Sequence, residues 1–183
     1  DDDGDVDSIS LMSSDLEGSL ALEWLPSTIS RVYAHINTLC GSVHLERLPA
    51  ALQILSLSVN HLDGSLCLTK LPPSLVELYL QQNQFEGSIN LTLLPKSMRK
   101  INLSVNMLSG ALDVTMLPPS LQAIFLEKNF FSGETDFSQL PQSLQLMNVS
   151  ENKDLAGTAV RRKGLLFKPR ETKIRVVSAR KYN

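Results

Sequence analysis

Leu-Pro pairs begin at Leu25, Leu48, Leu71, Leu94, Leu117 and Leu140, a strict period of 23 held without slippage. An Asn follows each pair at a fixed offset, at Asn37, Asn60, Asn83, Asn106, Asn129 and Asn152. A Gly follows four places after each of the first five, at Gly41, Gly64, Gly87, Gly110 and Gly133. A period of this length means stacked units, each too small to bury its own apolar side and each burying it against its neighbours.

Within a unit, the two-residue spacing of Leu55 and Leu57 turns both side chains to one face of a short strand and Ser56 to the other. Stacking such strands gives a parallel sheet with rungs about 4.8 Å apart. The Asn enters the interior where the chain bends. Its amide both donates and accepts, so six of them form a ladder that satisfies backbone groups at the corners. Leu39, Leu62, Phe85, Leu108 and Phe131 plug the same corner two places on.

The other half of the unit reads as extended chain. Pro in every Leu-Pro pair, doubled at Pro72-Pro73 and Pro118-Pro119, removes a backbone donor and argues against a regular helix. Alternation over residues 64–68 and 110–114 predicts a second, shorter strand there. The expected fold is a mainly β repeat solenoid: a right-handed superhelix of about seven turns, a parallel concave sheet, short strands on the convex side and all six ladder Asn buried.

The core of each unit, Leu-x-x-Leu-x-Leu-x-x-Asn-x-Leu, as in Leu52, Leu55, Leu57, Asn60 and Leu62, resembles the leucine-rich repeat. The resemblance covers residues from about 6 to 160. The Leu-Pro-x-Ser-Leu opening and the Gly-Ser-Leu-x-Leu ending are similar to repeats of free-living protists, the kinetoplastid relatives in particular. The resemblance implies the solenoid and no single activity.

The 183 residues fit one domain, read as a solenoid over 1–160 followed by a basic tail over 161–183. Shifting the pattern back by one period aligns Val6, Ile9 and Leu11 with the strand positions, Gly18 with the Gly and Ser14 with the Asn, so the first turn is a degenerate repeat. Residues 1–24 carry eight acidic side chains and no basic one. No Glu closes a calcium loop there, since Met12 holds the twelfth place, so the segment reads as a solvated acidic end. In the tail, residues 165–167 and 174–177 read as two strands of a hairpin around 168–171.

A second period, twice the first, overlies it. Outward sheet positions carry Tyr33, Tyr79 and Phe125 in alternate units, with Ser56, Asn102 and Asn148 between them. An aromatic stripe of this kind is a ligand surface, or simply residues suited to a pleated surface.

Catalytic chemistry is not legible. His35, His44 and His61 occupy three different repeat positions without metal-ligand spacing, and neither a phosphate-cradling Gly loop nor a nucleophile elbow occurs. The reading is no enzyme, no cofactor and no metal. Cys40 and Cys67 fall at different places in adjacent units, too far apart to pair, and are expected to be free. A net charge of -2 gives no pull toward nucleic acid, and no apolar run reaches the ~20 residues of a membrane span.

Asn-x-Ser/Thr occurs at Asn90, Asn102 and Asn148; none of the six ladder Asn lies in such a triplet. That partition points to glycans at these three positions of a secreted or cell-surface protein whose signal peptide has been removed. Two functions then compete. The first is an extracellular structural protein whose copies associate head to tail into fibres. Asp1, Asp2, Asp3, Asp5 and Asp7 at one end would meet Arg161, Arg162, Lys163, Lys168, Arg170, Lys173 and Arg175 at the other. The second is a monomeric recognition module that binds a protein or glycan on the concave sheet. Sugars on Asn102 and Asn148 would obstruct that sheet, which favours the first.

Overall fold

The computed structural model describes residues 6–178. Each repeat contributes one strand to each of two parallel sheets. Sheet I consists of Ser8–Ser10, Arg31–Tyr33, Ile54–Ser56, Glu77–Tyr79, Lys100–Asn102, Ala123–Phe125, Leu146–Asn148 and Leu166–Lys168. Sheet II consists of Glu17–Gly18, Thr38–Ser42, His61–Ser65, Gln84–Gly87, Met107–Gly110, Phe130–Asp136, Asp154–Val160 and Lys173–Val177. Successive strands are neighbours throughout both sheets. The fold is a leucine-rich-repeat solenoid, mainly β. Its helical content among the described residues is two single turns of 3-10 helix, Leu22–Trp24 and Leu45–Arg47.

In sheet I the partners lie one repeat apart, as Arg31 with Ile54 and Ile54 with Glu77. The middle residue of each strand points inward, and Leu55, Leu78, Ile101, Ile124 and Met147 are fully buried. Each contributes about 1.5–3 kcal/mol of burial. The flanking residues face outward, which places Tyr33, Ser56, Tyr79, Asn102, Phe125, Asn148 and Lys168 in one column across the sheet.

The Asn side chains stitch each turn to the one before it. Asn83 Nδ2 donates to Leu80 O at 3.1 Å in its own turn and to Leu57 O at 3.0 Å in the preceding one. Its Oδ1 accepts from Leu62 N at 3.0 Å. Asn60, Asn106, Asn129 and Asn152 repeat these three bonds. These five are buried, but Asn37 is only half-buried. The turn below it carries exposed Ser14 in place of an Asn, and Asn37 Oδ1 accepts from Ser14 N and Leu16 N. The expectation of six buried Asn is corrected at this position.

A second set of bonds closes the opposite corner. Ser74, Ser97 and Ser120, two places after the first Pro, each donate to carbonyls of the preceding turn at 2.6–2.7 Å. Ser143 donates to Leu121 O at 2.7 Å. At the next rung no Leu-Pro-x-Ser follows, and the Arg162 guanidinium takes over the task, donating to Leu140 O, Pro141 O and Leu144 O at 2.9 Å each.

Two strand assignments from the sequence need correction. The sheet II strands start directly after the ladder Asn, at His61 and Met107, and end at Ser65 and Gly110 rather than beginning at the glycines. In His61–Ser65 the alternation of exposed His61, buried Leu62 and exposed Asp63 already has strand period, and Gly64 at φ +76° carries the pairing, opposite Phe85, to the last residue Ser65. The proposed hairpin over 165–177 is also absent. Leu166–Lys168 pairs in parallel with Leu146–Asn148 in sheet I, whereas Lys173–Val177 pairs in parallel with Asp154–Val160 in sheet II. The intervening residues run from one sheet to the other as in every earlier turn, so the pair does not fold back on itself.

Candidate recognition face

Outward from sheet I, large and small side chains alternate by rung. Tyr33 and His35 are followed by Ser56 and Ser58, then Tyr79 and Gln81, Asn102 and Ser104, Phe125 and Glu127, Asn148 and Ser150, and finally Lys168 and Arg170. The residue two places after the aromatic belongs to the same face because backbone bonds continue across it, as Val59 N to Gln81 O and Val105 N to Glu127 O at 2.9 Å. Ser56, Ser58 and Ser104 are only 5–6% exposed because larger neighbours overhang them. The doubled period is therefore a relief of ridges and floors along the solenoid, with Tyr33, Tyr79 and Phe125 half-buried on the ridges.

The centre of the face is held by Lys100, two residues before the aromatic column. Its Nζ lies 4.9 Å from the Tyr79 ring centre and 5.9 Å from that of Phe125. The two rings belong to strands two rungs apart, about 9.6 Å, so the ammonium sits between them, attracted by both ring faces. Glu77 is its direct cross-strand partner. That carboxylate is engaged elsewhere, accepting from Tyr79 Oη at 2.7 Å. Burial first, then this bond to Glu77, holds the Tyr79 phenol well above its usual range. Lys100 forms no ion pair among the described residues.

Next along the face, burial raises the Glu127 carboxyl above the ordinary Glu range, against the pull of its own backbone, Lys168 and an Asn148 hydrogen bond. Glu127 Oε2 and Gln81 Oε1 are buried without a hydrogen-bond partner. These two oxygen atoms are acceptors left unsatisfied in the folded chain. Toward the other end, Tyr33 meets His35 edge to face at 6.3 Å, and His35 Nδ1 lies 3.2 Å from Ser56 Oγ.

The sequence-predicted residues fall in three groups. Tyr33, Tyr79 and Phe125 share the outward column as the repeat required. Asn90 is exposed on the far side of the solenoid, whereas Asn102 and Asn148 are half-buried in the aromatic column. In each of the three triplets the Ser or Thr hydroxyl donates to the Asn Oδ1 at 2.7 Å. Of the charged ends, Asp1, Asp2, Asp3 and Asp5 lie outside the described residues. Asp7 is already paired with Arg31 at 2.9 Å and accepts from Ser30 Oγ at 2.6 Å. Arg162 holds the carbonyls named above, Lys173 pairs with Asp154 at 2.7 Å and Arg170 with Glu171 at 3.1 Å. Arg161, Lys163, Lys168 and Arg175 are exposed and without an ion pair among the described residues.

Sequence reasoning passed over Lys100, Glu77 and Glu127. The signal was present in the strand period, which puts residues two before and two after the aromatic column on the same face. Cys40 and Cys67 are free. No three His, Cys, Asp or Glu side chains converge among the described residues, and none of their helices is long and apolar enough to cross a membrane. A hollow of about 400 Å³ opens between the last strands of the two sheets, against Val160, Leu165, Phe167 and Val176.

No protein-family model and no curated protein sequence matches the chain. Solved structures do. The PEPR1–AtPEP1 structure superposes with a TM-score of 0.72 at 24% identity, over 88% of this chain and 25% of that one. A plant ice-binding protein gives 0.63 at 18% identity, over 92% and 65%. The plant peptide hormone receptor RGFR1 in complex with RGF2 gives 0.55 at 20%, over 92% and 40%. The chain thus spans a quarter to two thirds of the length of these structures, and the likeness at this identity is one of fold.

Proposed function

We propose that this chain is a non-enzymatic recognition module, acting outside the cell, that binds a polypeptide segment on sheet I. The observation that carries this reading is the Lys100 ammonium, lodged between Tyr79 and Phe125 with no ion pair to a carboxylate among the described residues. A charge and two aromatic rings at the centre of a rigid sheet are the composition of an interface anchor. The fold is shared with structures described as a peptide hormone receptor bound to RGF2 and as PEPR1–AtPEP1. The repeats are read as the kind found in free-living protists. Residues 1–160 are read as the solenoid, with 161–183 as a basic extension of it.

Selection of a random peptide display library on the folded protein tests the reading, with the double variant Tyr79→Ser, Phe125→Ser as the counter-selection bait. The reading expects enriched sequences that bind the wild type at least tenfold better. Enrichment equal on both baits, or none on either, overturns it.

Head-to-tail association of copies into a structural fibre is the second reading. It is favoured by the hollow at the last strands, lined by exposed Leu166 and Val176 and by Arg161, which has no ion pair among the described residues. Weighing against it, Asp7 and several of the basic residues already have partners within the chain. Light scattering at low salt decides it: a wild type that stays monomeric at high concentration ends the fibre reading. Glycans separate the two readings as well. A sugar on exposed Asn90 suits both, whereas sugars on Asn102 and Asn148 cover the aromatic column and suit only the fibre.

A further inference from the structure

The ridges of sheet I repeat at a distance that selects the conformation of what lies on them. Tyr33, Tyr79 and Phe125 occupy every second rung of one column. Two rungs of a parallel sheet measure about 9.6 Å. A ligand lying along the solenoid axis must therefore present equivalent groups on one side at that interval to meet each ring in the same way.

A β-strand ligand fails this condition. Its side chains return to the same side after two residues, about 6.8 Å, and three residues span about 10 Å but bring the third to the opposite side. An α-helix returns after about 5.4 Å per turn, far from the ridge spacing. A polyproline-II segment has three residues per turn and rises about 3.1 Å per residue, so it returns to one side after about 9.3 Å. The mismatch of about 0.3 Å per turn is small beside the freedom of an aromatic side chain.

Charge fixes what stands between the contacts. Lys100 Nζ lies between the second and third rings. Its cross-strand neighbour Glu77 accepts from Tyr79 Oη and makes no contact ion pair with Lys100, so among the described residues the ammonium keeps its hydrogen-bond donors open to a ligand. An acidic side chain of the ligand, placed one or two residues after the one on Tyr79 and before the one on Phe125, accepts from them.

We infer that sheet I takes a proline-rich acidic segment in the polyproline-II conformation, one residue per turn on each of Tyr33, Tyr79 and Phe125 and a carboxylate on Lys100. This rests on the reading of sheet I as a polypeptide-binding face and specifies its ligand.

Calorimetric titration tests it with three probes. The first is a nine-residue peptide of three Pro-Glu-Pro units. The second is a peptide of equal length and charge made of Thr-Glu-Val units, which favours extended β chain. The third is an oligogalacturonate, an acidic sugar chain. The inference expects the Pro-Glu-Pro peptide to bind at least tenfold more tightly than either other probe. Lys100→Gln should weaken it about tenfold, the size of one charge-assisted hydrogen bond, and Lys100→Arg should restore most of the loss. Equal or tighter binding of the Thr-Glu-Val peptide overturns it, as does an unaffected Lys100→Gln protein. Oligogalacturonate binding in place of both peptides makes the face a glycan site and overturns it too. If display selection yields peptides dependent on Tyr79 and Phe125 while Pro-Glu-Pro does not bind, this inference falls and the recognition face stands.

Discussion

Glu77 and Lys100 stand directly opposite each other on neighbouring strands and still do not pair. The carboxylate accepts from Tyr79 Oη at 2.7 Å, and the ammonium leans over the Tyr79 ring at 4.9 Å. A cross-strand ion pair between half-buried side chains at the edge of solvent is worth little, up to about 1 kcal/mol. A cation held by two aromatic faces, together with a charge-assisted phenol hydrogen bond, competes with it on even terms. The outcome leaves a positive charge available to a ligand.

The Asn ladder should dominate stability. Asn83→Ala removes one acceptor and one donor group that between them satisfy Leu62 N, Leu57 O and Leu80 O in a buried corner. Leaving these unpaired costs about 3–5 kcal/mol. Asn37→Ala, at a half-buried site, should cost about half as much. Urea unfolding of the two variants checks the difference; equal costs would contradict the ladder as the main tie between turns.

The residue before each ladder Asn adopts positive φ, and at Val59 and Val105 it is β-branched with φ 56°. That conformation costs an L residue roughly 1–2 kcal/mol. Val59→Asn and Val105→Asn are therefore expected to stabilise the fold by about 1 kcal/mol each, read as a rise in urea midpoint. Both side chains are more than a third exposed, so little burial is forfeited.

Glu127 gives a pH signature. Its carboxyl is raised in the folded chain, first by burial. The folded state thus holds that proton to higher pH than the unfolded state, and stability declines as pH rises from the ordinary Glu range through the raised value. Glu127→Gln removes this decline. Thermal melts should show the variant gaining a degree or a few at pH 7 relative to its position at pH 4. A gain of the same size at both values would assign the effect to packing instead of ionisation.

Peptide masses measured before and after enzymatic removal of N-glycans, which converts each occupied Asn to Asp, locate the sugars. The recognition reading expects a single occupied site, Asn90. Occupied Asn102 or Asn148 would cover the column between Tyr79 and Lys168 and favour the fibre.

The solenoid, its two sheets and the buried Asn were legible because a period repeated six times leaves each structural residue in register. What escaped lies where the period breaks or where two rungs cooperate. Arg162 stands in for a Ser whose motif has vanished, and no spacing rule reaches from a short hydroxyl to a guanidinium. The two last strands looked like a hairpin because their connection is short, and sequence proximity conceals that they belong to different sheets. Lys100 and Phe125 belong to successive repeats, so their contact emerges only when the rungs are stacked.

Where a ligand lies is the most direct question for the recognition face. A display-selected peptide titrated calorimetrically against two double variants answers it. One is Tyr79→Ala, Phe125→Ala on sheet I; the other is Trp24→Ala, Phe130→Ala, at two exposed aromatics away from that sheet. The account predicts at least a tenfold loss of affinity in the first and none in the second. An undiminished affinity in the first, or a matching loss in the second, would contradict it.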